Sequence, residues 1–144
     1  MAGFPRRRWF SLFGLLSLLA AGCPASQERP YPVHGVVSLD GNPLRGGLVR
    51  FEPSSPGPSS SCFGAEGTIG SDGTYRLTTS SVNEGTNDGA LPGMYRVVVL
   101  PGQETTAQNS RVIPSKYYSL AGSGLEFEVK PNDNLIDIRL TSKP

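Results

Sequence analysis

The chain has 144 residues, with Lys+Arg 13 against Asp+Glu 12 and a formal net charge of +1. So even a balance gives no electrostatic case for nucleic-acid binding, and the length allows one domain once a targeting segment is set aside. Gly 18 and Pro 13 exceed ordinary usage without a G-X-Y period, which excludes collagen and points to many turns.

Arg6, Arg7 and Arg8 precede an almost wholly apolar run from Trp9 to Ala21. That run is short for a membrane span and has the length of a signal h-region. Removing residues 1–22 takes away three basic side chains and no acidic one, so the remainder is net negative. Gly22-Cys23 follows the apolar run directly. The stretch Leu19-Ala20-Ala21-Gly22-Cys23 resembles the cleavage site of a bacterial lipoprotein signal peptide, with Ala20 where that pattern usually has Leu. The resemblance implies loss of residues 1–22, palmitate-type acylation of Cys23 and lipid anchoring in the cell envelope, on the periplasmic or outer face of a membrane. Acyl chains hold a bilayer at roughly 0.8 kcal/mol per buried methylene, so several chains make a durable anchor. The competing readings are an exported free thiol, an uncleaved anchor and an N-terminal core helix. Arg7-Arg8-Trp9-Phe10 also loosely resembles a twin-arginine signal. Residues 23–32 are polar and Pro-flanked and read as a tether.

From residue 33 to 142, period-two alternation predicts a β domain. Val33, Gly35, Val37 and Leu39 share one face of a first strand, closed by the turn Asp40-Gly41-Asn42-Pro43. Val49 and Phe51 face inward on a second strand, and a weaker strand is predicted near Glu66 to Gly70. After Ser71-Asp72-Gly73, Tyr75 and Leu77 point inward. Pro92-Gly93 leads into Tyr95, Val97 and Val99. Leu125, Phe127 and Val129 alternate with Glu126, Glu128 and Lys130. Beyond Asn132-Asp133-Asn134, Ile136, Ile138 and Leu140 alternate with Asp137, Arg139 and Thr141. No helical period of useful length appears. Seven strands with one apolar face each require a second sheet to cover that face, so a sandwich is expected. Two loops interrupt it, one Ser/Pro/Gly-rich over residues 53–63, the other over 103–124. The second contains Ile113-Pro114-Ser115-Lys116-Tyr117-Tyr118, an apolar patch expected to fold back on the sandwich.

The succession Gly35-x-Val37-x-x-Asp40-Gly41-x-Pro43-Leu44, Val49-x-Phe51, Asp72-Gly73-x-Tyr75-x-Leu77, Gly89-Ala90-Leu91-Pro92-Gly93-x-Tyr95 and Ile113-Pro114-x-Lys116-Tyr117 resembles the planctomycete-type small lipoproteins with a carboxypeptidase regulatory-like, or transthyretin-like, domain. The resemblance covers nearly all of the chain after Cys23. It implies an all-β, seven-stranded Greek-key β-sandwich of the transthyretin-like (prealbumin-like) kind. It also implies an envelope location and does not imply an activity; the expectation for the chain is a non-catalytic structural or binding module of the envelope, with no catalytic residue, metal or cofactor and with an unknown protein or glycan partner.

The residues that carry chemistry are few. His34 is the one histidine, so a Ser-His-Asp or Cys-His hydrolase would have to use it; on the outer face of the first strand it reads as a solvent-facing residue. Cys62 would have no intrachain partner beside an acylated Cys23; it reads as an exposed loop thiol with no functional role, and pairing with another chain or capping in an oxidising compartment is the alternative. Asp40, Asn42, Asp72, Asp88, Asn132, Asp133 and Asn134 sit in turns, where backbone geometry favours them, rather than in one calcium shell. Glu126 and Glu128 read as surface charge. Tyr117 and Tyr118 are the candidate binding surface, and as an exposed pair they would make the chain a cell-surface carbohydrate-binding module. An envelope hydrolase is the remaining alternative. No phosphate-binding glycine loop and no metal-ligand spacing of Cys or His occurs.

Overall fold

A computed structural model describes residues 29–55, 64–81, 85–102 and 113–143. The expected signal segment, Cys23, Cys62, residues 56–63 of the first long loop and residues 103–112 of the second therefore lie outside the described residues. The strands are β1 (Val33–Leu39), β2 (Asn42–Pro43), β3 (Leu48–Pro53), β4 (Ala65–Thr68), β5 (Thr74–Arg76), β6 (Thr78–Ser81), β7 (Gly85–Asp88), β8 (Gly93–Leu100), β9 (Leu125–Val129), β10 (Asn134–Leu135) and β11 (Ile138–Leu140). They form two sheets. In the smaller, β1 is central, with β5 and β2 antiparallel to it and β10 and β11 parallel. The larger runs β7-β6-β4-β3-β8-β9, antiparallel throughout. Val37, Leu39 and Ile138 from the first and Val49, Phe51 and Val97 from the second belong to one buried cluster. The domain is thus mostly β, two sheets on one core, as an all-β sandwich requires.

Alternation built these strands. Along β1 the odd residues are buried and the even ones half-buried, so burial follows the pleat. The hairpin from β1 to β2 turns on Asp40 and Gly41, at φ 50 and 78. Two positive φ values are what a two-residue type I′ turn demands, and Asp-Gly tolerates them.

Strand segments outnumber the seven expected, for two physical reasons. The strands β2 and β7 are polar and carry no apolar alternation. Two long segments are also interrupted. Tyr75, Leu77 and Thr79 stay buried in one unbroken alternation, but at Leu77 the chain leaves the smaller sheet for the larger. There the Leu77 N–H donates to Val33 O and its carbonyl accepts from Gly89 N. The second break divides β10 from β11, although both keep the same offset to β1, Val33 opposite Asn134 and Val37 opposite Ile138. Between them the Val36 N–H donates to Asp137 Oδ1 at 3.0 Å, a side chain standing in for a strand carbonyl.

Gly35 explains why that spot closes at all. A Cβ there would lie 2.0 Å from Ile136 O. Opposite Gly35 in the β1–β5 ladder sits Tyr75, whose hydroxyl donates to the same Ile136 oxygen at 2.7 Å inside the core. Burial, and after it the charge of Asp137, pushes the Tyr75 phenol well above its ordinary pKa. It therefore stays a neutral donor.

The loop patch folds back as expected. Ile113 and Tyr117 are buried in the core cluster. The segment adopts short helical turns that the sequence period did not disclose: a 3₁₀ turn over Ser115–Tyr118, then α1 (Leu120–Ser123). Ser119 caps α1 by accepting from Gly122 N, and Gly124 ends it at φ 62.

Replacing Gly35 with Ala should destabilise the domain by roughly 2–3 kcal/mol, because the methyl group meets backbone that cannot yield. Gly41→Ala, where a Cβ meets nothing within 4 Å, should cost only the left-handed strain of roughly 1–2 kcal/mol. Urea unfolding midpoints of the two variants measure the difference; equal midpoints would contradict this account of Gly35.

Candidate functional site

His34 projects from the outer face of β1, between Arg76 on β5 and Leu135 on β10 in register. Its Nδ1 lies 3.3 Å from Asp133 Oδ1, with the imidazole one-third exposed and the carboxylate more so. The approach lacks hydrogen-bond alignment, and the buried Nδ1 has no hydrogen-bond partner. A carboxylate thus stands where it would orient a catalytic imidazole, but among the described residues no serine, threonine or cysteine hydrogen-bonds to His34. A triad needs both halves.

Two of the acidic turn residues, Asp40 and Asp72, are held by backbone and by neighbouring side chains. Asp40 Oδ1 accepts from Ser142 N at 3.0 Å. Asp72 accepts from the Thr74 hydroxyl at 2.7 Å and from Thr74 N at 3.1 Å. The Thr74 hydroxyl, then the Thr74 amide, hold the Asp72 carboxyl below its ordinary pKa. Asn134 is buried and holds its turn together: its Oδ1 accepts from Lys130 N, and its Nδ2 donates to Asn132 O, Lys130 O and Pro32 O. Among the described residues no three of His, Cys, Asp and Glu gather closely enough to hold a metal ion. These oxygens serve turn geometry, as Asp and Asn side chains commonly do.

Tyr117 and Tyr118 do not form one exposed platform. Tyr117 is only 5% exposed; its hydroxyl accepts from Thr141 N at 3.0 Å, and the Lys116 ammonium lies 5.0 Å from its ring centroid. Tyr118 is 37% exposed and donates to Ile113 O at 2.7 Å. Adjacent residues on a 3₁₀ turn point about 120° apart, so one ring enters the core while the other faces outward. Tyr95 is core as well, with its ring 5.9 Å from that of Phe51. Glu126 and Glu128 are exposed on β9.

Sequence reasoning missed the arrangement where the tether ends. Tyr31 pairs with Ala90 through two backbone hydrogen bonds of 2.8 and 3.0 Å. Gly89 makes this possible: at φ 100, a Cβ on it would lie 2.0 Å from Tyr31 O. Pro32 O accepts from Asn134 N and Nδ2. Tyr31 and Pro32, ahead of Val33, are thus clipped to the domain beside β10. Gly89-Ala90 was visible as a turn signal, but its partner in the tether was not. Among the described residues no helix is long and apolar enough to cross a membrane.

Thr74→Val should raise the Asp72 pKa back toward the ordinary carboxylate value, as read from side-chain carboxyl shifts in an NMR titration. Because the folded pKa is depressed, the turn's contribution is complete above the unfolded pKa and fades as pH falls through the folded one. The variant should lose the hydroxyl's share of that acid-side dependence, while the Thr74 amide keeps its own. An Asp72 titration unmoved by the substitution would remove the hydroxyl as its cause.

In the comparisons with known proteins, no family model, curated protein or solved structure matches the chain.

Proposed function

We propose that the chain is an envelope lipoprotein: a non-catalytic structural or binding module held at a membrane by acylated Cys23, on the periplasmic or outer face. Its sandwich takes the transthyretin-like Greek-key arrangement, with the seven apolar-alternating segments as framework and β2 and β7 as additions. The observation that carries this reading is a combination. A basic n-region, a short apolar run and Gly22-Cys23 precede a polar linker, and that linker is clipped to the domain at Tyr31. Only Pro24 to Pro30 lie between Cys23 and the clipped Tyr31, so the span between them is at most roughly 3.5 Å per residue.

The non-catalytic part is supported by where the polar groups go. His34 lacks a nucleophile among the described residues, and Asp40, Asp72, Asp137 and Asn134 are engaged by main chain. The carbohydrate-binding alternative loses its exposed tyrosine pair with the burial of Tyr117.

Mass spectrometry of the protein isolated from its own membranes should find an N-terminus at Cys23 carrying acyl chains. Cys23→Ser should move the protein from the membrane fraction to the soluble one and abolish incorporation of a labelled fatty acid. A chain that keeps residues 1–22, or an unacylated Cys23, would defeat the anchoring proposal.

A further inference from the structure

The two edges of the larger sheet differ in chemistry. At one, β7 presents Thr86, Asn87 and Asp88, with no apolar residue among them. At the other, β9 pairs with β8 alone among the described residues. Its inward residues Leu125 and Phe127 are only half-buried, although both pack against the core and the Phe127 ring stacks 6.2 Å from Phe51. Its outward residues Glu126 and Glu128 are exposed.

The elements around β9 add to this asymmetry. The exposed large hydrophobics of the described surface are Met94 at 49%, Tyr118 at 37% and Leu135 at 70%. Met94 lies on β8 directly opposite Glu128. Tyr118 is in the helical turns that lead into β9, and Leu135 is on the strand that follows it. Of the three, Met94 adjoins β9 in the ladder; Tyr118 is separated from it by α1, and Leu135 lies in the smaller sheet opposite His34.

We propose that the edge of β9 takes up an extended segment of a partner protein as an added strand, one whose residues alternate between apolar side chains and Lys or Arg. An edge strand offers a row of backbone donors and acceptors, and strand addition uses them while alternate side chains set specificity. Apolar side chains of the incoming strand cover Leu125 and Phe127. Its basic side chains meet Glu126 and Glu128. Arg96 stands in register between Glu52 and Glu126 and cannot neutralise both; Lys130 approaches Glu128 only to 4.0 Å, with both side chains exposed. A second copy of this chain fits poorly. Antiparallel pairing of two β9 strands with their apolar sides aligned brings glutamate against glutamate, and like charges directly opposite are destabilising.

This inference deepens the binding-module reading and rests on it for the class of partner, but not on the lipid. The test uses the full-length chain in a non-ionic detergent with three capped peptides: alternating Lys and Val, alternating Glu and Val, and the Lys-Val peptide N-methylated at alternate residues. Hydrogen exchange should slow at the amides of Leu125–Val129 with the Lys-Val peptide, which should bind about tenfold more tightly than the Glu-Val peptide. N-methylation should abolish the effect. The double variant Glu126→Lys with Glu128→Lys, both at exposed positions, should reverse the preference. Equal binding of basic and acidic peptides, undiminished binding after N-methylation, protection away from β9, or self-association through β9 would overturn the proposal. The acylation state of Cys23 decides the anchoring proposal separately, so either can fail while the other stands.

Discussion

The contact on which the fold turns is the meeting of Gly35, Tyr75 and the carbonyl of Ile136. Three chain segments far apart in sequence converge there: the first strand, the strand that later switches sheets, and the C-terminal segment. Gly35 leaves room for backbone to approach where a methyl group would collide with Ile136 O. Tyr75 uses the same opening to satisfy that oxygen from within the core. A buried carbonyl without a donor would cost about 1–3 kcal/mol, and here the donor comes from an aromatic ring that is itself core. Asp137 makes the complementary contact outside, giving the Val36 N–H its acceptor across 101 positions of sequence. The parallel ladder can therefore break between β10 and β11 without leaving its polar groups bare.

From that junction the rest of the architecture follows. Because β1 pairs in parallel with the end of the domain, its N-terminal half lies beside Asn134 and its C-terminal half beside Leu140. Tyr31 and Pro32 are thereby delivered to Ala90 and Asn134, which clip them. At the opposite end, Tyr117 reaches from the helical turns to Thr141, next to the last strand. Tyr31 and Pro32 fastened at one end of the sandwich and the helical turns of Ser115–Ser123 packed at the other give the described domain polarity along its strands. A tether at Cys23 would convert that polarity into an orientation relative to a membrane.

Much of this was legible because burial in sheets has period two. Val33 to Leu39, Val49 to Phe51, Tyr95 to Val99 and Ile138 to Leu140 announce their inward faces, and Asp40-Gly41 announces its turn. The sheet change at Leu77 was not legible, since alternation continues through it without a fault. Nor was β7, where Thr86, Asn87 and Asp88 are held by a ladder and not by an apolar face. The short helical turns at Ser115–Ser123 escaped because one turn is too short to show a 3.6-residue period. At the candidate sites, the turn roles of Asp40, Asp72 and Asn134 followed from residue type, whereas the burial of Tyr117 beside an exposed Tyr118 depended on a local 3₁₀ geometry that neither residue declares.

The two edges of the larger sheet face the same physical problem with different chemistry. Every open sheet risks unplanned pairing at its rim. Polar residues on β7 make that edge unrewarding to any apolar strand. On β9 the glutamates repel a second copy, yet Leu125 and Phe127 remain half-covered, so the edge is protected against itself and not against a basic, alternating partner. Shielding alone would be as well served by burying those two side chains or by shortening the strand. An acidic outer row, a partly exposed apolar inner row and a run of five residues would favour one kind of partner strand over another, as the proposed binding edge requires.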